Sequence, residues 1–401
     1  MFFAALLLRC AFLALWRGDP ATPDGLDYQA IARHLEAGEG FTVDGEHPVL
    51  SRPPLYPLFL AAAHRLFPGH PRAPLWLQGL VDSAAAVCVL LAAEALMPAP
   101  AALACAAIYV LHPVFIGLCA LFMSETLFMG LWLLCLALLA RALSSGSPAS
   151  SAAAGAAFGL ALLCRPLFLF YPAVLLPAYL AARPGWKRQA ACWLAFCAVT
   201  AAVVAPWTAR NRRVSGGLIW VTTGAGSSWW MGSLTHYPLP DETRAIVGGG
   251  DTKSVKAEEA FNREAARNWR RDWPALLARL PPRLFKFWVV SHSSVLRIES
   301  PNSAYIARRR WGPLAVKGAL AILQAAILAA CAAGVFMLRA SWRRALVLLA
   351  PVLYVSLHVL NDWGAPRYHL PALPEAWMLG VWGFHLRRRS ATTNEPPGHL
   401  P

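Results

Sequence analysis

Ten stretches of this chain are apolar over lengths that approach the roughly 20 residues a helix needs to cross a bilayer. They lie at 1–16, 76–97, 100–117, 124–142, 152–165, 167–182, 189–206, 313–338, 343–360 and 371–386. Backbone polar groups inside hydrocarbon must be satisfied within their own segment, so such runs read as helices. The expected fold class is therefore an all-α polytopic membrane protein of about ten transmembrane helices. Composition agrees: 57% of the residues are hydrophobic and only 14% charged, against about 25% charged for soluble domains. A soluble chain this apolar could not cover its own surface. The first stretch contains Arg9 and lacks a basic leader and a small-residue cleavage site, so it reads as a retained helix rather than a signal peptide.

The net charge of +15 divides once the spans are set aside. Arg141, then Arg183, Lys187 and Arg188, then Arg339, Arg343 and Arg344, then Arg387, Arg388 and Arg389 fall in short connections on one side. Positive residues in short loops mark the cytoplasmic face. Two long segments, about 17–75 and 207–312, fall on the opposite side. The division expected is 1–207 as a transmembrane unit bearing the first outer loop, 208–312 as a large outer loop, 313–388 as C-terminal spans and 389–401 as a polar tail. All nine Cys lie in or beside spans, so no disulfide framework holds the outer segments. Segments 25–37, 54–67 and 256–288 read as interfacial helices, amphipathic or too short to span, and many of the 17 Trp read as interface anchors. Nucleic acid is not needed to explain the basic charge.

Acidic residues near a bilayer are costly and are candidates for function. Asp82 and Glu94 lie in the second span and Glu375 in the last. Asp24, Asp27 and Glu125 lie at outer span ends, and Asp362 in an outer turn. For Asp24, after Pro23, and for Glu125 the plain reading is a helix N-cap. Arg52 stands before Pro53-Pro54, held outside an apolar helix where its fork of donors suits a phosphate or a lipid headgroup. Arg165, Arg210 and Arg367 recur at outer span ends beside Pro or aromatics. Singly each reads as a boundary anchor; together they form a positive rim for an anionic lipid phosphate. Trp229 and Trp230, in a Gly/Ser-rich stretch, suit either interface anchoring or stacking on a sugar. No nucleotide-binding motif and no zinc-ligand spacing occurs.

At these residues the chain resembles the GT-C membrane glycosyltransferases, specifically the family-39-like group of protein O-mannosyltransferases and lipid A aminoarabinose transferases. The matching elements run in order. They are Asp24 to Tyr28, Gly38-Glu39-Gly40-Phe41, Arg52 to Tyr56, Ser124-Glu125, Arg165-Pro166, Pro206 to Asn211, and Arg367 to Pro371. The resemblance implies a GT-C-type bundle with interfacial helices in two long outer loops. It implies transfer of a sugar from a polyprenyl-phosphate donor to a glycan, lipid or protein acceptor, with inversion, at the outer face of a bacterial inner membrane. Asp24 would then be the catalytic base, with Asp27 as fallback and Glu125 supporting the acceptor or a metal. Arg52 would grip the donor phosphate, aided by Arg210, Arg367, Tyr28 and Tyr56, and Trp229 and Trp230 would contact substrate. The metal site is unassigned, leaving a divalent cation, Mg²⁺ or Mn²⁺, open. The rival reading is a transporter or flippase of lipid-linked sugars, against which stands the lack of inverted half-length repeats.

Overall fold

The computed structural model describes residues 1–182, 185–234, 241–249, 252–290, 292–360 and 366–393. Asp362 and Arg183 lie outside these residues. The described chain is helical almost throughout. In chain order the helices are α1 Phe2–Leu15, α2 Pro23–Glu36, α3 Leu55–Leu66, α4 Ala73–Glu94, α5 Ala99–Leu111, α6 Pro113–Leu118, α7 Glu125–Ser145, α8 Pro148–Cys164 and α9 Tyr171–Ala181. Then follow α10 Trp186–Ser215, α11 Ala225–Ser233, α12 Asp241–Gly248, α13 Val255–Ala278, α14 Leu280–Val289, α15 Asn302–Ala307, α16 Trp311–Met337, α17 Trp342–Ser356 and α18 Leu373–Thr393.

Ten of these occupy the positions read as spans, but their lengths are uneven. Among the described residues five are long and apolar enough to cross a membrane alone: α4, α7, α10, α16 and α17 with the turn that extends it. Helices α1, α5, α8 and α9 are apolar but shorter, and α18 completes the set. Proline explains much of the shortening. The residue before Pro is pushed out of the α region, so His112 is extended at φ −69°, ψ 115° and the stretch 100–117 divides into α5 and α6. Arg165 is likewise extended before Pro166, and a 3₁₀ turn, Pro166–Phe168, stands where the sequence suggested the start of α9.

Contacts at helix ends fix the alternation of the bundle. Arg72, at the start of α4, reaches the carbonyls of Leu13 and Trp16 at the end of α1. Arg165, ending α8, donates to Ser124 at the start of α7. At the other end Arg188, opening α10, donates to the carbonyl of Gly146 just past α7. Near the first end again, Trp288 donates to Ser356 at the end of α17. The described residues of segments 16–72 and 216–310 therefore lie at the same end of the bundle. The Arg-bearing connections after α7 and before α10 lie at the other.

Glycines let certain helices touch by their backbones. A Cβ at Gly155 of α8 would collide with the Phe196 carbonyl of α10, and one at Gly334 of α16 with the Leu379 carbonyl of α18. Close approach by small residues is how helices pack without a hydrophobic drive in lipid. In the interior, Arg9 of α1 donates to Asp82 of α4 at 2.7 Å and to the carbonyl of Val110 at 2.6 Å, and Tyr109 donates to the other oxygen of Asp82 at 2.6 Å. The two charges noted within the first and second spans are thus a buried pair. Glu375, also buried, accepts from the Trp132 indole.

The helices expected outside the spans agree with the sequence in part. Helices α2 and α3 stand at 25–37 and 54–67. The run 256–288 is not one helix: it bends at Asp272, whose φ −117° and ψ 19° are non-helical, and divides between α13 and α14. Trp273, Leu277, Leu284 and Phe285 are exposed along it, as an interfacial helix requires. Helix α10 runs on to Ser215, so the boundary drawn at 207 falls within a helix. The last helix extends to Thr393, past the point where the tail was drawn, and 394–401 lie outside the described residues.

Candidate active site

The site is built from six places along the chain. Helix α2 begins after Thr22, whose hydroxyl accepts from the amide of Gly25 at 2.9 Å. Thr22 is therefore the N-cap, and Asp24 is not; this corrects the plain reading of Asp24. Relieved of that task, Asp24 and Asp27 project from the first turns of α2 toward Arg52. Arg52 meets Asp24 Oδ1 through Nη1 at 2.8 Å, and donates to Asp27 Oδ2 through Nε and Nη2 at 3.0 and 2.7 Å. Its guanidinium lies over the Tyr28 ring, 5.3 Å from the centroid. Such stacking fixes the plane of an Arg fork.

Arg367, in a 3₁₀ turn before α18, meets the second oxygen of Asp24 at 2.8 Å and lies 3.8 Å from Glu125 Oε1. Glu125, the first residue of α7, does not serve as a cap acceptor: its Oε1 pairs with Arg165 at 2.7 Å. Lys253 stands 3.5 Å from Asp27 Oδ2. Three carboxylates thus face four cations, a surplus of one positive charge. The cluster is half-buried, with Glu125 6% and Asp24 24% exposed. Burial pushes the Asp24 carboxyl upward, but the Arg367 and Arg52 guanidiniums outweigh it and hold that carboxyl below its usual range. Burial raises the Tyr28 phenol.

Beside the cluster lies a cleft of about 640 Å³ between the loop 43–51 and the residues around 253–255, with Asp27 and Lys253 in its lining. Its loop wall is braced. Asp44 Oδ1 accepts from the amides of Glu46 and His47, and Thr42 and Pro48 form a bridge. Arg210 ties the same loop to α10 by donating to the carbonyls of Val49 at 2.7 Å and Phe41 at 3.4 Å, while stacking on Trp207 at 4.7 Å.

Of the residues singled out in the sequence, Asp24, Asp27, Arg52, Glu125 and Arg367 are brought together, with Tyr28 beneath Arg52. Others are placed elsewhere. Tyr56 is completely buried and donates to Gln78 at 2.6 Å, so it faces the core and not an anion. Arg210 spends its donors on the loop backbone. Trp230 is buried against Phe261, ring centroids 4.8 Å apart, and Trp229 packs on the same apolar group; they hold α11 to α13 rather than stand open to a sugar. Arg165, read from sequence as part of the same positive rim, joins the cluster, and so does Lys253, which the sequence does not single out among the cations. The Arg165-Pro166 boundary motif was the available signal.

The carboxylates do not suit a divalent cation. Both oxygens of Asp24, one of Asp27 and one of Glu125 already face guanidinium or ammonium groups. Among the described residues no group of three or more His, Cys, Asp and Glu is arranged to hold a metal. Arginine forks with a positive surplus suit a phosphate instead.

The sequence pattern of the dolichyl-phosphate-mannose-protein mannosyltransferase family matches residues 51–209, a stretch that contains Arg52, Glu125 and Arg165. No curated protein matches the sequence. Solved structures of an oligosaccharyltransferase from Archaeoglobus fulgidus share the fold. The apo form aligns with a TM-score of 0.56 at 14% identity, covering 99% of this chain and 52% of that one. A complex of the oligosaccharyltransferase AglB from the same organism with an inhibitory peptide and a dolichol-phosphate aligns at 0.53 and 15% identity, covering 100% and 52%. A complex with zinc and sulfate aligns at 0.53 and 13%, covering 97% and 49%. This chain spans about half the length of those proteins. The mannosyltransferase pattern thus covers residues 51–209, and the likeness to the solved structures is one of fold over nearly the whole chain.

Proposed function

We propose that this protein is an integral-membrane glycosyltransferase that moves a sugar from a polyprenyl-phosphate donor to an envelope acceptor at the outer face of the membrane. The observation that carries this reading is the cluster at one end of the bundle, where Arg52, Arg165, Arg367 and Lys253 meet Asp24, Asp27 and Glu125 with one positive charge to spare. A polyprenyl phosphate carries its anion at the membrane surface and its tail in lipid, so no nucleotide site is needed. The arginines steady the phosphate as it leaves, the role in which preorganised donors are most effective. A neighbouring carboxylate takes the proton of the acceptor hydroxyl. In-line attack at the anomeric carbon inverts its configuration. The matched mannosyltransferase pattern and the AglB complex with a dolichol-phosphate support a lipid-linked donor.

The test is envelope mass spectrometry of cells lacking the gene, with and without complementation. Loss of one sugar's mass from a lipid, glycan or protein, restored by wild type and not by Arg52→Ala, is the expected result. Restored movement of a lipid-linked sugar with no glycosylated product would sink the transferase reading in favour of a carrier.

A further inference from the structure

Beside the rim, three buried imidazoles gather: His112 at the α5–α6 junction, His292 after α14 and His369 in the 3₁₀ turn Pro366–Ala372. Nε2 of His292 and Nε2 of His369 stand 2.8 Å apart, and the His369 ring stacks on Trp288 and meets Phe287 edge-on. Gln324 of α16 fixes which nitrogen holds the proton. Its amide nitrogen donates to the Trp288 carbonyl at 2.8 Å and lies 3.3 Å from His369 Nε2. An amide nitrogen only donates, so His369 Nε2 is the bare acceptor and His292 Nε2 carries the hydrogen.

The pair closes a strap across the rim. From His292 the chain runs through a 3₁₀ turn, Ser293–Leu296, to Arg297, and both flanking residues lie in the left-handed region, at φ 53° and φ 58°. Residues other than glycine seldom adopt that conformation, and they hold it only where the surroundings impose it. Here both ends are tied. Arg297 donates to the carbonyls of Asp19 and Ala21, just before the Thr22 cap of α2. His292 meets His369, two residues after Arg367. The strap thus joins the helix of Asp24 to the turn of Arg367, the two elements whose ion pair at 2.8 Å aims one guanidinium of the cluster.

Resting on the transferase reading above, we infer that His292 and His369 are positioning residues for Arg367 and form a latch that acid opens, so that the hold on the donor phosphate depends on pH at the outer face. A proton added to His369 goes to Nε2, the nitrogen that already faces two donors, and the latch cannot survive it. Burial pushes the His369 imidazole down to about 3 and lowers His292 as well, where His369 and His112 add to the effect. The closed form therefore excludes protons that the open form, with ordinary values of about 6.5, accepts. Closure is unopposed above that pH. Below it each pH unit favours the open form by about tenfold per histidine, until the closed-form value is reached. Charged and titratable groups on the other elements packed around the pair are engaged elsewhere. Lys317 of α16 donates to the Ser300 carbonyl, Glu375 of α18 accepts from Trp132, and His358 after α17 faces the Leu167 carbonyl. Lys286 of α14 is exposed.

The experiment uses full-length protein in detergent and radiolabelled undecaprenyl phosphate as the probe, at about pH 7.5 and about pH 5.5, on either side of the ordinary histidine value. On acidification wild type should lose about tenfold more affinity than His369→Gln. Glutamine keeps an acceptor for His292 and does not titrate, so His369→Gln should recover most of the binding without the acid dependence. The phosphate's own titration is common to both proteins. His369→Leu removes the acceptor and should weaken binding about 10–100-fold at both pH values, the worth of a hydrogen bond to a charged group. Hydrogen exchange at the amides of Val295, Arg297 and Ile298, which are bonded within the strap, reads opening without any ligand. Corrected for intrinsic rates, it should quicken with acid in wild type and not in His369→Gln. Equal exchange responses in the two proteins would overturn the latch. A latch that opens while binding shows the same acid dependence in both would overturn the positioning of Arg367. Wild type that shows the exchange response but binds no undecaprenyl phosphate at either pH would instead overturn the transferase reading.

Discussion

Two sets of arginine–carboxylate pairs lie in this molecule, and they are built to opposite ends. Inside the bundle Arg9 and Asp82 are matched one to one, both almost fully buried, with the second oxygen of Asp82 accepting from Tyr109 and the other nitrogens of Arg9 donating to carbonyls of α5. At the rim, four cations meet three carboxylates, exposure rises to 39% at Arg367 and 61% at Lys253, and a cleft opens beside Asp27. A closed, neutral pair fastens helices. An open, unbalanced cluster can exchange one of its carboxylates for an incoming phosphate, because the arginines are already desolvated and aimed. Charge near a membrane is therefore not by itself a mark of function; what distinguishes the two sets is whether the account of partners closes.

The comparison can be broken by substitution. The largest effect on stability should come from Arg9→Leu, which strands a buried carboxylate and should cost about 3–5 kcal/mol. Adding Asp82→Leu should return most of that, since an apolar replacement of both partners is often neutral. Thermal unfolding in detergent reads both, and a double variant as unstable as the single one would show that the pair's role is more than mutual neutralisation. Arg52→Ala should do the reverse. Turnover should fall by about 10²–10³-fold, the usual cost of one preorganised donor, while the melting midpoint moves far less than for Arg9→Leu. Next in size is acid. The Asp24 carboxyl is depressed below its ordinary 3.8, so its pairing contributes fully above that pH and is lost only as pH falls through the lower folded value. Thermal midpoints should therefore show no Asp24-dependent difference between wild type and Asp24→Asn developing from pH 7 to 5, and a convergence of the two below pH 4. Smallest is Lys253→Ala. Its pair with Asp27 is exposed and long, so the change in stability should stay under about 1 kcal/mol and should vanish at high salt.

How much of this could be read from the sequence follows from the same distinction. The apolar stretches revealed the bundle because hydrocarbon demands long apolar runs, and the rim was suggested by cations that recur at several span ends, although each alone reads as a boundary anchor. The position of a cap was not legible: Thr22 and Asp24 are both good cap residues, two apart, and only the path of the chain into α2 decides between them. Nor was the fate of boundary aromatics. Tyr56 and Trp230 look like their exposed neighbours in sequence, and what buries them is Gln78 from α4 and Phe261 from α13. The Arg9–Asp82 pair spans 73 positions, and although two opposite charges in neighbouring apolar runs hint at each other, nothing local fixes the match.

The glycine contacts have a consequence for the rim. Arg165 ends α8, which touches α10 backbone to backbone at Gly155, and Arg367 precedes α18, which touches α16 in the same way at Gly334. Each guanidinium is therefore carried on a mast whose footing has no side chain to compress or repack. The gap between them, bridged by Glu125 at 2.7 and 3.8 Å, is set by main-chain geometry well below the surface. Bulk introduced at either seam would act like a shim under one mast, tilting an arginine off its target from inside the bilayer without altering any residue at the rim.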